Sequence, residues 1–392
     1  MIRDQRSATT AGLRHATGSL LVVGLAGVEL TGLERAWLKL VRPAGIILFR
    51  RNIADARQTR ALLAEAAAFC APNNLRCVDL EGGTVDRLRD ALAPMPSAQA
   101  VWSAASGSYS IPSQIKRKDG PTPVDSGKMA ALALEHGKLV GRGVNAFGFN
   151  TTLAPVVDLG LPDSAEVMGT RVAAATAAGV VEYARGFLSG LATQGVVGCA
   201  KHFPGLGGGT RDSHLETPTI ERGWQELWRE DLAPYRELRD ELPMVMVNHA
   251  AYPQTPGKAR PASVSAFWIT AVLRKRIGYK GIVFSDDLEM GGILKFMPIE
   301  VAVVEAVRAG MDLMEICHSP ELILRAYEAL IAEGERSRAF RDLLMERARK
   351  TAQLRVKLFE NGVQRSLTQR QFEALRTRVQ RFREKIAEAQ TA

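Results

Sequence analysis

The feature that most constrains the fold is a recurrence of short, continuously apolar runs separated by stretches with helical periodicity. The eight runs are residues 20–25, 45–49, 75–78, 152–157, 196–200, 244–247, 281–284 and 311–316, and clear helical stretches span 55–69, 174–193 and 300–309. Strands that are buried on both faces require continuous rather than alternating apolarity. The pattern therefore predicts an α/β fold, a (β/α)8 barrel of the TIM type, with a doubly wound open sheet as the competitor. No G-x-G-x-x-G follows the first run, which disfavours a dinucleotide-binding version of that competitor.

Three parts of the chain do not fit the repeat and define the predicted domain organisation. Residues 1–18 form an N-terminal arm, and residues 336–392 form a basic helical extension after a catalytic domain over residues 19–335. Residues 103–128, between the third and fourth runs, are rich in Ser, Gly, Pro and Lys. Such a composition buries little, so this insertion is expected to be an exposed loop and a candidate lid.

The C-terminal extension carries most of the net charge of +9. Residues 333–392 hold 15 Lys and Arg against 8 Asp and Glu, while the rest of the chain holds 36 against 34. Ser366 and Gln369 have the spacing of a capping box, and apolar residues follow at helical spacing: Phe372, Leu375, Val379, Phe382 and Ile386. We expect an amphipathic helix of about two heptads that packs on the barrel or on a partner helix. A polyanion-binding module is the non-enzymatic alternative.

Composition restricts the class of protein further. The 392 residues are 46% hydrophobic and 24% charged, which is typical of globular proteins and excludes disordered and fibrous ones. The four cysteines lack C-x-x-C spacing and are expected to be reduced thiols, which predicts a cytoplasmic protein. No apolar run reaches the length of a membrane span, about 18 residues. Residues 20–28 imitate a signal peptide, but glycines interrupt them and Glu29 follows directly, so a buried first strand is expected.

Polar residues stand where five of the eight runs end. They are Asp79 and Glu81 after the third, Lys201 and His202 after the fifth, Asn248 and His249 after the sixth, Asp286 and Asp287 after the seventh, and Cys317 and His318 after the eighth. In a barrel the carboxyl ends of all strands converge on one face, where barrel enzymes keep their active sites. The pattern predicts a catalytic face.

Two features indicate hydrolytic chemistry. Asp212 and His214 stand in a glycine-rich loop, where Asp212 can fix the tautomer of His214 and make it a proton shuttle near neutral pH. Asp286 can serve as nucleophile, general base or metal ligand. A metal-dependent hydrolase stays open beside a carboxylate-and-histidine hydrolase, although Lys201 would compete with a cation.

Taken in order, the motifs resemble glycoside hydrolase family 3, and more narrowly its single-domain β-N-acetylglucosaminidases of the NagZ type, which act in peptidoglycan recycling. The resemblance covers residues 20–332. It is carried by residues 201–205 with Thr210, Asp212, Ser213 and His214, by residues 284–288 with Met290, by residues 45–49 with Arg51 and Asn52, by residues 78–83 with Arg87, and by residues 154–156 with Asp158.

The resemblance implies a retaining, double-displacement glycosidase without cofactor or metal. Asp286 would be the nucleophile, and His214 paired with Asp212 would be the acid and base. The hydroxyls and N-acetyl group of the non-reducing sugar would be bound by Asp79, Arg87, Arg171, Lys201 and His202, as charged donors and acceptors can do. The expected partner is a small carbohydrate, either a saccharide ending in β-linked N-acetylglucosamine or a muropeptide fragment, and not a nucleic acid.

Some residues within the motifs differ from the family pattern. Leu206 stands where the family usually has His, and Thr84 replaces a common Arg. Residues 169–173 keep Arg171 but lack the usual Glu before it and the Ser-aromatic pair after it. A β-glycosidase of other sugar selectivity on the same fold is the alternative that these differences leave open.

Overall fold

The computed structural model describes residues 11–106, 125–209, 217–360 and 366–391, and within them parallel strands close into a barrel. The barrel strands are β1 (Leu21–Gly24), β2 (Gly45–Leu48), β3 (Leu75–Val78), β6 (Thr151–Thr152), β7 (Val197–Phe203), β8 (Met244–Val247), β9 (Ile282–Asp287) and β10 (Leu313–Ile316). Each pairs with the next in this order, and β10 pairs with β1. The predicted (β/α)8 barrel is confirmed, and the open sheet is wrong because the last strand closes on the first.

Helices surround the barrel and occupy both ends of the described chain. They are α1 (residues 11–18), α2 (Gly32–Val41), α3 (Ala56–Ala67), α4 (Ala98–Ser106), α5 (Ser126–Ala146), α6 (Ala165–Met168), α7 (Ala177–Ala192), α8 (Trp224–Arg229), α9 (Ala233–Glu237), α10 (Gly291–Leu294), α11 (Ile299–Ala309), α12 (Pro320–Arg336), α13 (Arg338–Phe359) and α14 (Gln369–Thr391). A π-helical segment, Phe267–Arg276, stands between β8 and β9. The three helices expected from periodicity are α3, α7 and α11.

The core has two layers because strand side chains alternate between the barrel interior and the helices. The interior cluster contains Val22, Ile47, Leu75, Cys77, Leu153, Val197, Cys199, Met244, Met246, Ile282, Phe284 and Leu313. Alternating strand residues such as Leu21 and Ile46 pack in the outer layer. Burial on both faces explains why the strand sequences are continuously apolar.

Two strands extend beyond their predicted ends, and one forms only in small part. The fourth run, predicted over residues 152–157, forms a regular ladder only in β6, because Pro155 has no N–H to donate. In contrast, β7 continues to Phe203 and β9 continues to Asp287. The polar residues after the fifth and seventh runs therefore lie within the strands themselves, which fixes their backbone.

A hairpin directly after β3 brings a second carboxylate to the carboxyl end of the barrel. It consists of β4 (Leu80–Gly82) and β5 (Val85–Asp86), which pair antiparallel. Gly82 has φ +92°, and a Cβ there would lie 2.0 Å from the carbonyl oxygen of Pro96, so only glycine fits. The hairpin folds back tightly and holds Glu81 near Asp79.

Most of the described residues of the arm and the insertion are helical. The described part of the arm is α1, which packs through Leu13 against Gly334 of α12. Of the predicted loop 103–128, residues 103–106 end α4 and residues 126–128 begin α5. That part of the prediction is wrong, because Asp125 caps α5 by accepting from the Lys128 N–H at 3.0 Å. Residues 107–124, the centre of the candidate lid, lie outside the described residues.

Helix α13 closes the amino end of the barrel. Leu354, Leu358 and Phe359 pack against the interior cluster. The buried Arg355 donates from Nη1 to the carbonyl oxygen of Ala44, 3.0 Å away, just before β2. The predicted division of the chain at residues 335 and 336 stays a prediction; it falls in the last turn of α12, just before α13 begins.

Helix α14 packs on the outside of the barrel, against α4 and α5. Its predicted stripe is buried at Leu375, Val379, Phe382 and Ile386. The predicted capping box at Ser366 and Gln369 is wrong: Thr368 and Gln371 exchange the capping bonds, at 2.9 and 3.3 Å. Leu367 and Phe372 flank this cap and both pack on the core, which sets the helix start two residues later. With 23 residues, α14 also exceeds the expected two heptads.

Candidate active site

A cavity of about 500 Å³ opens at the carboxyl ends of the barrel strands. Its floor includes Leu153 and Met246, which belong to the interior cluster. Six of the eight predicted site residues line it: Asp79, Arg87, Arg171, Lys201, His202 and Asp286. Asp212 and His214 lie outside the described residues. Convergence of strand ends, used in the prediction, explains why residues up to 207 positions apart meet here.

One side of the cavity, the paired wall, consists of Asp79, Glu81, Arg171, Lys201 and His202. At its centre the Lys201 ammonium lies 2.9 Å from Asp79 Oδ1 and 2.6 Å from Glu81 Oε1. Burial alone would lower the pKa of Lys201, but the two carboxylates outweigh it and raise the pKa. Lys201 is therefore a fixed positive charge in the barrel mouth.

Glu81 connects the two cations of the paired wall, and it was absent from the predicted site residues. Its carboxylate accepts from Nε and Nη2 of Arg171, both at 2.8 Å, in addition to its contact with Lys201. Burial opposes ionisation, yet Arg171 and Lys201 lower the pKa of Glu81 to about 2. The signal in the sequence was its position two residues after Asp79.

His202 is held by Asp158, a second residue that the sequence reasoning left out of the site. Asp158 Oδ2 lies 2.6 Å from His202 Nδ1, and the same carboxylate accepts from the backbone N–H groups of His202 and Leu206 at 3.1 and 2.7 Å. Arg171 Nη2 lies 3.2 Å from His202 Nε2. Because arginine only donates, Nε2 accepts, and the neutral ring carries its proton on Nδ1.

Asp286 lies at the end of β9 and is partly exposed to the cavity. Burial raises the pKa of this carboxyl, but the polar groups around it, among them the Lys201 ammonium and the N–H of Asp287, lower it more, so the pKa lies below its ordinary value. Its Oδ1 accepts from the N–H of Asp287 at 3.0 Å. Asp286 is consequently an ionised carboxylate that faces the cavity.

His249 holds the carboxyl end of β9 by a hydrogen bond to its backbone. Its Nε2 lies 3.0 Å from the carbonyl oxygen of Asp287, and its Nδ1 lies 2.8 Å from Ser263 Oγ. Nε2–H donates to the carbonyl, so Nδ1 of the neutral ring accepts from the hydroxyl. Burial lowers the pKa of His249, which favours that neutral form. The residue fixes the backbone beside Asp286.

The other side of the cavity, the acidic wall, consists of Asp286, Asp287, Glu315, Cys317 and His318. Burial and the carboxylates of Asp287, Asp79 and Asp286 raise the pKa of Glu315 well above its ordinary value. Sequence reasoning missed Glu315 because it stands inside an apolar run. Strand alternation places it on the same face as Leu313, towards the barrel interior.

An ionised carboxylate opposite fixed cations and carboxylates can hold a neutral, hydroxyl-rich ligand and attack it. A family model described as the N-terminal domain of glycosyl hydrolase family 3 matches residues 13–354. The chain belongs to glycoside hydrolase family 3. It is therefore a glycosidase with a carbohydrate substrate. The family match ends inside α13, so α14 lies beyond it.

Named relatives of this family 3 glycosidase are β-hexosaminidases. The one from Stenotrophomonas maltophilia R551-3 is 32% identical over 326 residues, covering 83% of this chain and 91% of the relative. The one from Alkalilimnicola ehrlichii is 36% identical over 304 residues, covering 77% and 82%. The chain thus spans most of the length of these relatives.

Two solved structures show how far the likeness to this glycosidase extends. A family 3 β-N-acetylglucosaminidase from a Paenibacillus species matches with a TM-score of 0.79 and 31% identity, covering 95% of this chain and 68% of that one. NagZ from Neisseria gonorrhoeae, in complex with N-trifluoroacetyl-D-glucosamine, matches with a TM-score of 0.70 and 30% identity, covering 95% and 98%. The chain is thus an enzyme of the NagZ type in family 3. Across its described residues, none of the helices is both long and apolar enough to cross a bilayer.

Proposed function

We propose that the enzyme removes terminal β-linked N-acetylglucosamine from small peptidoglycan-derived saccharides in the cytoplasm, with retention of configuration. The observation that carries this proposal is an ionised Asp286 at the cavity, opposite the buried ion pairs of Lys201. The names of the β-hexosaminidase relatives, and the N-acylated glucosamine bound by NagZ, support an N-acetylated sugar as substrate.

In the proposed mechanism Asp286 attacks the anomeric carbon and the glycosidic bond breaks. His214, oriented by Asp212, gives its proton to the leaving oxygen, and a covalent glycosyl-aspartate remains. In the second step His214 takes a proton from water, whose oxygen attacks the anomeric carbon and frees Asp286. Two inversions give net retention. The assignment of Asp212 and His214 rests on their motif, since both lie outside the described residues.

The remaining predicted residues are proposed to hold the sugar. Asp79 accepts from hydroxyls while Lys201, 2.9 Å away, donates to them, and this pairing suits two vicinal hydroxyls. Arg87, whose Nη2 is 3.7 Å from Asp79 Oδ2, is free enough to turn towards the ligand. In Arg171, Nε and Nη2 are engaged by Glu81, so Nη1 is the nitrogen left for substrate. His202 presents its ring edge from β7.

The nucleophile is tested by replacing Asp286. With a chromogenic N-acetyl-β-glucosaminide and EDTA present throughout, Asp286→Ala is expected to lower kcat by at least about 10³-fold, because the covalent step is lost. Asp240→Ala, which removes a carboxylate that is 77% exposed, is the matched control and should keep wild-type kcat. The first-formed sugar anomer, followed by NMR, should be β. Undiminished turnover by Asp286→Ala would refute the mechanism.

Sugar selectivity is tested by comparing the N-acetylglucosaminide with the matching glucoside. A preference for the N-acetyl sugar of at least about tenfold in kcat/KM is expected, corresponding to roughly 1.4 kcal/mol of differential binding in the transition state. Equal rates would favour the β-glycosidase alternative suggested by Leu206 and Thr84. Loss of activity in EDTA with rescue by a divalent ion would favour the metal-dependent hydrolase instead.

A further inference from the structure

The stretch of chain that leads to the proposed acid–base pair lies directly on two charged side chains. In this entry stretch, residues 205–209, a Cβ on Gly205 would lie 2.8 Å from the Cβ of Asp231. A Cβ on Gly208 would lie 2.6 Å from the Cδ of Arg222. Ordinary contacts between carbon atoms are about 3.5–4.0 Å long. Glycine is therefore what lets this backbone pack against Asp231 and Arg222.

Arg222 is held by carboxylates at each nitrogen of its guanidinium group. Nε donates to Asp231 Oδ2 at 2.9 Å, Nη2 donates to Glu230 Oε2 at 2.6 Å, and Nη1 lies 2.9 Å from Glu226 Oε1. The side chain of Arg222 is 14% exposed. Because the planar group is bound on all sides, its aliphatic part stays in contact with Gly208.

Asp231 is the buried member of the pair that it forms with Arg222. Burial raises the pKa of Asp231 to about 7, although Arg222 lowers it. A carboxyl group can accept a hydrogen bond in either protonation state, so the contact with Arg222 persists on both sides of that pH. The packing of its Cβ against Gly205 does not depend on charge at all.

Hydrogen bonds fix the start of the entry stretch beside the paired wall. Tyr252 Oη donates to the carbonyl oxygen of Gly205 at 2.7 Å, and Asp158 Oδ1 accepts from the N–H of Leu206 at 2.7 Å. The same Asp158 holds His202, one of the residues proposed to bind the sugar. The entry stretch therefore begins at a fixed place next to the proposed sugar site.

The chain returns from the acid–base pair through residues 217–222, the exit stretch. The N–H of Ile220 donates to the carbonyl oxygen of Ala251 at 2.8 Å, which anchors the exit stretch to the segment after β8. Arg222 itself belongs to the exit stretch and contacts the entry stretch at Gly208. A single side chain thus joins the described residues on either side of the acid–base pair.

We propose that Arg222 and Asp231 are positioning residues for acid–base catalysis: by joining the entry and exit stretches they keep His214 within reach of the leaving oxygen. Neither residue lines the described cavity, so both act through His214. Proton transfer needs hydrogen-bond distance, and a displacement of about 1 Å can cost about 10²-fold in rate. The inference rests on the proposed function, in which His214 is the acid and base, and adds the residues that hold it in place.

The first test compares phenyl and dinitrophenyl N-acetyl-β-glucosaminides. Phenolate needs a proton as it leaves, whereas dinitrophenolate is stable enough to leave without one. Arg222→Ala should therefore lower kcat/KM by about 10–100-fold for the phenyl glycoside and by less than about threefold for the dinitrophenyl glycoside. Arg222→Lys keeps the charge and the aliphatic chain and should lose less than Arg222→Ala. Arg185→Ala breaks an exposed pair with Glu241 and, as the matched control, should change neither value.

The second test uses the later step of the reaction. With the dinitrophenyl glycoside, Arg222→Ala should have a lower kcat, because the attack of water needs His214 as base. Azide should restore kcat, because this anion attacks the glycosyl-aspartate without a base, and the product should be the β-glycosyl azide. Gly208→Ala, which places a methyl group against Arg222 and leaves its ion pairs in place, should show both effects at smaller size. Circular dichroism checks that each variant is folded.

His214→Ala is the reference that separates two kinds of failure. If His214→Ala loses activity selectively on the phenyl glycoside while Arg222→Ala loses it equally on both glycosides or not at all, the positioning role is overturned and the proposed function stands. If His214→Ala shows no selective loss, the proposed acid is refuted and the positioning role with it. If Arg222→Ala does not fold, Arg222→Lys and Gly208→Ala decide by the same criterion.

Discussion

The two walls of the cavity differ in how many cations face their carboxylates. On the paired wall each carboxylate contacts a cation: Lys201 lies between Asp79 and Glu81, and Arg171 binds Glu81 through two nitrogens. On the acidic wall the carboxylates outnumber the cations, and the pKa of Glu315 rises well above its ordinary value. The difference shows that neighbouring cations favour the ionised form of Glu81, while burial and neighbouring carboxylates favour the neutral form of Glu315.

The largest effect is expected from removing the central carboxylate of the paired wall. Glu81→Gln should lower the free energy of unfolding by about 3–5 kcal/mol, because it leaves the buried guanidinium of Arg171 without its bidentate partner. Urea denaturation monitored by fluorescence measures this. Glu300→Gln is the matched control, since it breaks the exposed pair with Arg325 and should cost less than about 1 kcal/mol. Equal losses in the two variants would refute the contrast between buried and exposed pairs.

The second-largest effect is expected on the free energy of unfolding at acid pH. The folded pKa of Glu81 is about 2, below its ordinary value of 4.5, so its stabilisation is present above about pH 4.5 and is lost as the pH falls towards 2. This corresponds to roughly 3 kcal/mol across the window. Unfolding free energies measured from pH 6 downwards should therefore decline more steeply in wild type than in Glu81→Gln. Parallel declines would show that Glu81 does not titrate as its ion pairs require.

The smallest effect is expected on the acidic wall. Glu315→Gln, assayed with EDTA, should change the free energy of unfolding by less than about 1 kcal/mol, because a neutral amide replaces a carboxyl that the folded protein holds towards its neutral form. A loss as large as that of Glu81→Gln would show that Glu315 is ionised and paired, and the contrast between the walls would fail.

The paired wall also shows how far sequence reasoning reached. Asp79, Lys201 and His202, like Asp286 on the acidic wall, were found because strand ends converge, a property of the barrel that needs no side-chain detail. The partnership of Arg171 with Glu81, 90 positions apart, has no local signal in spacing or periodicity. Roles could be assigned only through the family resemblance.

The extension shows a different limit. The apolar stripe of α14 was readable because helical periodicity depends on neighbouring residues alone. The surface that receives it was not readable, and the cap shifted to Thr368 because packing of Leu367 and Phe372 decides between two equally spaced pairs. In the same way, no local sequence pattern identifies Arg355 of α13 as a buried donor at the amino end of the barrel.

Closure of the barrel by α13 affects how the enzyme handles its ligands. With the interior cluster and α13 blocking the amino end, ligands in the described cavity enter and leave through the same mouth. A long saccharide chain therefore cannot pass through the barrel from one end to the other. Because substrate and product share this opening, a product that occupies the cavity must leave before the next substrate can bind.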